Sequence, residues 1–230
     1  MAPVINIFSP HIDDAFLSLG GSILYWIDKG HKVKVRNIFT VSEWVGRNNL
    51  AEQNFPLSAG EVTTMRKQEE RSASQASGFD YEFWDFLDFP LRNHFSQNDT
   101  NEMISSISYR INECLNDEDY FFFPAAPSNG HDDHILVRSI GDLLHKKKCK
   151  LFYYEDLPYY SWGDFEFKKN YKTLKSIASP ILQEFNIQEK ERVLKEYASQ
   201  VSLHMLKTMS VYSYNTFNDL YYERFWEVRH

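Results

Sequence analysis

The sequence predicts an α/β protein of the Rossmann-like, doubly wound kind. Its sheet is expected to be mainly parallel, of order about 3-2-1-4-5, with helices on both faces and an aromatic-rich C-terminal extension. Three observations lead there. Five short apolar runs between Ile5 and Glu155 read as strands, segments of helical periodicity separate them, and the alternation stops at Asp156, after which aromatic residues dominate. At 230 residues the chain suits one large domain: a Rossmann-like core over 1–155 and an extension over 156–230 that packs on it.

The elements follow in order. Val4 to Phe8 is a short apolar run, and from Asp14 onward Phe16, Leu19, Ile23 and Ile27 recur at helical spacing until Gly30 offers a stop. Lys32 to Phe39 begins as alternating charged residues and valines, a second strand, and a polar loop spans about Val41 to Gly60. Glu61 to Ser77 is rich in helix formers and ends before Gly78; "FDYEFWDF" then has the aromatic density of a strand. Ile104, Ile107, Ile111 and Leu115 mark a helix face, "YFFFP" a buried strand, Leu136, Ile140 and Leu143 another helix stripe, and "KLFYYE" a fifth strand. Beyond it, "EDLPYYSWGDFEFKKNY" reads as an aromatic loop with at most one strand. Gln188 to Leu206 reads as one long helix, with Val193, Tyr197, Val201 and His204 or Met205 along one side.

Composition narrows the function. The formal charge of −7 and the absence of a long basic run argue against nucleic acid as a partner. Lys146, Lys147 and Lys148 follow a helical pattern and suit its C-terminal end. Cys114 and Cys149 show no CxxC or framework spacing, which fits a reducing compartment. No basic leader with an apolar stretch and no membrane-length window occurs, so a cytoplasmic protein is expected. Aromatics at 16% serve a bulky core or stacking surfaces. Gly20 and Gly21 lack the flanking residues of a phosphate cradle, so no nucleotide cofactor is indicated.

The order 3-2-1-4-5 makes the first and fourth strands neighbours, and such sheets bind ligands in the crevice outside their carboxyl ends. "PHIDD" follows the first strand and "NGHDDH" the fourth. His11 and Asp14 lie three apart across a strand-to-helix turn, and His134 offers a third ligand. Two histidines and a carboxylate with one open position suit a catalytic Zn²⁺, although similar ligands also accept Fe²⁺ or Co²⁺. Such a metal polarises a carbonyl and activates water for hydrolysis. Asp13 then remains as a proton acceptor, His131 as a charged group for a developing oxyanion, and Asp133 as the carboxylate that orients His131 and keeps it charged. The competing explanation for each aspartate pair is helix N-capping. His31, His94, His145, His204 and His230 have no partners at ligand spacing and read as surface or helix-end residues.

"SPHIDDAFLSLGGSI" and "GHDDHILV" resemble the two metal motifs of the LmbE-like, or PIG-L, family of zinc-dependent N-deacetylases. "MRKQEERSASQASGF", "DFLDFPLR", "YYEDLPY" and "KERVLKEYASQ" are similar to further family segments, in the same order. The resemblance implies a Rossmann-like fold, His11, Asp14 and His134 as zinc ligands, Asp13 as general base and His131 as the oxyanion-stabilising group. It also implies Arg66, Asp88 and Arg92 near the sugar; a structural salt-bridge set is the other reading of those three. Ile12 and Asp132 stand where the family usually has proline, and Ala15 where an acidic residue is frequent. None of these departures removes a ligand or the base.

The expected activity is removal of acetyl from an N-acetylated amino sugar, a small molecule or glycoconjugate, with homo-oligomer formation left open. A different acyl group or carrier, and a carbohydrate-binding protein without turnover, are the alternatives. Trp44, Tyr159, Tyr160 and Trp162 serve in this reading either to stack on sugar faces or to anchor loops.

Overall fold

The computed structural model of the chain describes residues 3–46, 57–126, 131–144, 149–162 and 165–229. Strands form where the short apolar runs stand: β1 (Ile5–Ser9), β2 (Val33–Asn37), β3 (Asp80–Phe83), β4 (Tyr120–Pro124) and β5 (Lys150–Tyr154). Every residue of β1 is buried, as expected of a central parallel strand covered on both faces, and this is why its sequence does not alternate. β1 pairs in parallel with β2 from Ile5↔Val33 and with β4 from Ile5↔Tyr120. The parallel part of the sheet therefore has the predicted order.

Between the strands lie α1 (Asp14–Asp28), α2 (Ala59–Ser77), α3 (Gln97–Cys114) and α4 (Asp132–Leu144). Capping boxes start α2 and α3: Ser58 with Glu61, and Ser96 with Asp99. α2 ends at Gly78, whose φ of 93° is costly for any other residue. On α4 the buried stripe is Val137, Ile140, Gly141 and Leu144; Leu143, assigned to that stripe from sequence, is 75% exposed. Lys146 to Lys148 lie outside the described residues.

The C-terminal extension departs from expectation. It contributes α5 (Phe165–Ile177), β6 (Ala178–Phe185), α6 (Ile187–Leu194), α7 (Leu203–Ser213), the short β7 (Tyr214–Asn215) and β8 (Leu220–Val228). β8 pairs antiparallel with both β5 and β6, giving a sheet of order β3-β2-β1-β4-β5-β8-β6. The sheet is thus mixed rather than mainly parallel, and the extension lengthens it instead of merely packing on it. β6 escaped notice because it is an edge strand: one face is solvated and Pro180, which has no N–H to donate, is tolerated there. The single helix expected over Gln188 to Leu206 is two helices, because α6 stops at Leu194 and Ser202 caps a new start by accepting from the Met205 amide.

A buried ionic knot ties this extension to α1. Glu223 of β8 accepts from the Gly21 and Ser22 amides at 2.9 and 2.7 Å and from Ser22 Oγ at 2.6 Å. Lys190 of α6 donates to Glu223 at 2.6 Å and to the Leu17 carbonyl at 2.7 Å. Gly21 must be glycine, since a Cβ there would meet Phe185 at 2.3 Å. Removing one partner of a buried pair strands the other. Lys190→Met is therefore expected to destabilise the protein by about 3 kcal/mol in urea denaturation, and a loss indistinguishable from zero would refute the knot's structural role.

Candidate active site

The crevice outside the carboxyl ends of β1 and β4 is built by local geometry. After β1 the chain turns sharply through His11–Asp14. Ser9 Oγ braces the turn by donating to the His11 carbonyl at 2.6 Å and accepting from the Ala15 amide at 3.0 Å. Asp14 Oδ2 accepts from the His11 amide at 2.8 Å and lies 3.1 Å from His11 Nδ1. Asp13 has a φ of 100°, a conformation that a side-chain-bearing residue adopts only when its surroundings impose it. It occupies the cap position of α1 but makes no capping hydrogen bond, so capping does not account for it.

The second cluster enters from the first turn of α4. His134, 1% exposed, places Nε2 at 3.1 Å from Asp14 Oδ2. One ligand atom each from His11, Asp14 and His134 lies within 4.8 Å of the others. His134 Nε2 is buried and, although 3.1 Å from Asp14 Oδ2, makes no well-directed hydrogen bond there, an arrangement that is costly unless something else addresses that nitrogen. His134 Nδ1 faces Asp156 Oδ1 at 3.3 Å, and Asp156 Oδ2 is held by the Ala126 amide at 2.6 Å. His11 is backed in the same way: Asp133 Oδ2 stands 2.9 Å from His11 Nε2. Each histidine thus has a carboxylate behind it and one nitrogen facing the centre, the arrangement that orients metal-bound imidazoles. The donor set fits a divalent cation. A second grouping, His11, His131 and Asp133, is also close enough to share an ion. Its carboxylate, however, is occupied by the Arg92 guanidinium, by the Phe89 amide at 2.9 Å and by His11.

Asp133 was expected to orient His131 and keep it charged. It is turned instead toward His11 and Arg92, with His131 Nδ1 3.8 Å from its Oδ2. The Asp133 amide donates to His131 Nδ1 at 3.3 Å, which leaves the proton of the neutral ring on Nε2. Burial and the neighbouring His11 push His131 down to about 4, so at neutral pH it is a neutral N–H donor. Burial also pushes Asp13 up to about 8, against the pull of Arg66; a cation beside it would act in the opposite direction. Burial works against ionisation of Asp14, yet His134 and His11 outweigh it and hold that carboxyl below the usual range. His134 is raised, burial notwithstanding, by Asp14 and Asp156.

A cavity of about 620 Å³ opens onto this centre, with His11, Asp13, Asp14, Arg66, Asp88 and His131 among the residues that line it. Arg66 Nη2 donates to Asp13 Oδ1 at 3.1 Å and to the Ile12 carbonyl at 2.7 Å. Asp88 accepts from Ser42 Oγ through one oxygen, and its other oxygen is buried without a partner. Arg92 lies behind the centre, pairing with Asp133 and stacking 4.8 Å over the Phe39 ring. Trp44 and Tyr159 line the cavity. Tyr160 does not: it is 1% exposed, and its hydroxyl accepts from Asn170 at 2.7 Å. The side chain of Trp162 and residues His145 and His230 lie outside the described part, and His31, His94 and His204 join no candidate metal group among the described residues.

Asp156 and Ser42 were missed from sequence. Asp156 follows the carboxyl end of β5, so the crevice rule already pointed to it; Ser42 sits in a polar loop with no distinguishing signal. Asp156→Ala is expected to weaken divalent-metal binding by about 10–100-fold, measured by competition with a chromogenic chelator, and unchanged affinity would remove Asp156 from that role.

A mixed α/β fold carrying a His/Asp/His centre and an adjacent carboxylate at the mouth of a cavity has the architecture of a metal-assisted hydrolase. The sequence model of the family described as PIG-L: GlcNAc-PI de-N-acetylase matches residues 6–144, and the chain belongs to that family of hydrolytic N-deacetylases. Among curated proteins none matches this sequence. Among solved structures, the antimicrobial-reagent pseudoaglycone deacetylase Dbv21 is 22% identical, with a TM-score of 0.75 over 100% of this chain and 98% of that one. Teicoplanin deacetylase Orf2 in its zinc-inhibited form is 18% identical, with a TM-score of 0.76 over 98% and 97%. The N,N'-diacetylchitobiose deacetylase of Pyrococcus horikoshii is 15% identical, with a TM-score of 0.64 over 97% and 83%. At these identities the likeness bears on fold, and function must be argued from the site. No described helix is long and apolar enough to cross a membrane.

Proposed function

We propose that this chain is a zinc-dependent deacetylase that removes the N-acetyl group from an amino sugar of the N-acetylglucosamine type, giving the free amine and acetate. The observation that carries this reading is the convergence of His11, Asp14 and His134 at one point with Asp13 beside it. Nitrogen and oxygen donors in a set of three suit zinc, with His11 Nδ1, Asp14 Oδ2 and His134 Nε2 as the holding atoms. The cation, when bound, supplies Lewis acidity for amide hydrolysis.

The remaining steps belong to the protein. Asp13 accepts a proton from the attacking water and returns it to the amide nitrogen as the C–N bond breaks, so the leaving group departs as an amine. Arg66 fixes the Asp13 carboxylate and its strained backbone aims it. His131 donates its Nε2 proton in a hydrogen bond to the carbonyl oxygen as negative charge develops there. It acts as a neutral donor rather than as the charged group expected from sequence. Asp88, which lines the cavity, supplies the carboxylate that accepts a sugar hydroxyl. Trp44 and Tyr159 offer flat surfaces to the sugar or its carrier.

The test is acetate release from a panel of N-acetylhexosamine conjugates by protein of known metal content. Turnover of at least one, abolished by chelation and restored by zinc, is expected. Preference for a bulkier N-acyl group over acetyl would replace this reading with that of a broader amidase. Binding of N-acetyl sugars by the zinc-loaded protein without acetate release would replace it with a carbohydrate-binding role.

A further inference from the structure

Arg66 of α2 turns to Asp13, but two further residues of the same helix, Glu69 and Glu70, do other work. Both are buried carboxylates, Glu69 9% and Glu70 1% exposed. Neither lines the cavity. Glu69 grips Ser199 with both oxygens, accepting from its amide and its hydroxyl at 2.7 Å each. Glu70 accepts from Tyr197 Oη at 2.7 Å and from Asn37 Nδ2 at 2.7 Å. The two carboxylates therefore peg the middle of the segment between α6 and α7, at Tyr197 and Ser199.

That turn holds the outer wall of the cavity. The Ser199 carbonyl accepts from the Gly46 amide at 2.9 Å, and Gln200 Nε2 reaches the Trp44 carbonyl at 3.4 Å and Ser199 Oγ at 2.9 Å. Trp44, Gly46, Gln200 and Ser202 line the cavity. Trp44 is 52% exposed; these backbone bonds and its amide's bond to Ser42 Oγ at 3.0 Å hold it in place.

We infer that Glu69 is a positioning residue for substrate affinity: through Ser199 it clamps the Trp44–Gly46 wall over the cavity, while touching no reacting atom. Binding energy from such a wall is realised when substrate docks and is largely retained through the reaction, so its loss appears in KM rather than kcat. A charged acceptor with two donors is also the strongest form such a clamp takes. The inference rests on the deacetylase reading for its kinetic consequence, but not for the clamp itself.

The experiment uses the full-length protein with zinc and the best N-acetylhexosamine conjugate. Glu69→Ala is expected to raise KM on the order of tenfold with kcat within about twofold, and to speed hydrogen exchange at the Gly46 amide. Glu69→Gln, which keeps one acceptor oxygen, should recover part of both effects. Ser199→Ala, which leaves the Glu69 charge beside Arg66 in place, should raise KM in the same direction and add little on top of Glu69→Ala. Should Glu69→Ala fail to fold, Glu69→Gln and Ser199→Ala carry the test. A fall in kcat at constant KM, or unchanged Gly46 exchange in every folded variant, would overturn the inference. Wild-type protein that releases no acetate would sink the deacetylase reading alone; Gly46 exchange, together with the affinity of the variants for N-acetylglucosamine, would still decide the clamp.

Discussion

Asp13→Asn is expected to lower kcat by roughly 10²–10⁴-fold while leaving metal content and cavity unchanged. The expectation follows from position. Asp13 is not one of the three residues whose ligand atoms converge, yet it flanks Asp14 in sequence and faces the same cavity. Its carboxylate is held by Arg66 at 3.1 Å rather than by the α1 amides that a capping aspartate would serve. A carboxylate that neither caps nor coordinates, held in a strained backbone conformation at a buried site, is the group available to move a proton. Asparagine keeps the shape and the Arg66 contact but cannot accept the proton, so the loss should fall on kcat and not on folding. Asp13→Ala removes the shape as well and should be no more active. Near-wild-type turnover by the asparagine variant, at full metal occupancy, would take Asp13 out of the base role.

The second large effect is expected at His134. His134→Ala removes the one ligand contributed by α4, leaving His11 and Asp14 from a single turn. Divalent-metal content measured after dialysis should drop from stoichiometric to background, with activity falling in parallel. The contrast between the two variants matters: Asp13→Asn separates chemistry from metal binding, whereas His134→Ala removes both. Retention of tightly bound metal by His134→Ala would mean that the cation sits elsewhere, and the grouping of His11, His131 and Asp133 would become the place to look.

The parallel core was legible because its central strands, β1 and β4, are short and largely apolar and the segments between strands carry helical stripes or runs of helix formers. That pattern placed PHIDD and NGHDDH at adjacent strand ends although more than a hundred residues separate them. The C-terminal half of the sheet was not legible for the opposite reason. β6 is half solvated and carries Pro180, and β8 runs through adjacent pairs of aromatic and charged residues (Tyr221-Tyr222, Glu223-Arg224, Phe225-Trp226), so neither looks like the strands of the core. Which residues touch which was also hidden. Periodicity and spacing brought Asp133 to the site, but only coordinates show its carboxylate turned to His11 and Arg92, leaving its amide for His131. Likewise the Arg66, Asp88 and Arg92 set divides in space: two reach the cavity and the third braces Asp133. Glu69 stands in a run of helix formers that also resembles the family's Arg-x-x-Glu helix, but its partner across 130 residues leaves no trace in local pattern.

The most direct measurement is an anomalous-diffraction crystal structure of the zinc-loaded protein. A single strong peak should lie about 2.0–2.2 Å from a His11 nitrogen, an Asp14 oxygen and His134 Nε2, with Asp13 close by but not bound. A peak coordinated by His131 and Asp133 instead, or no ordered zinc between β1 and β4 at full loading, would contradict the site and the chemistry assigned to it.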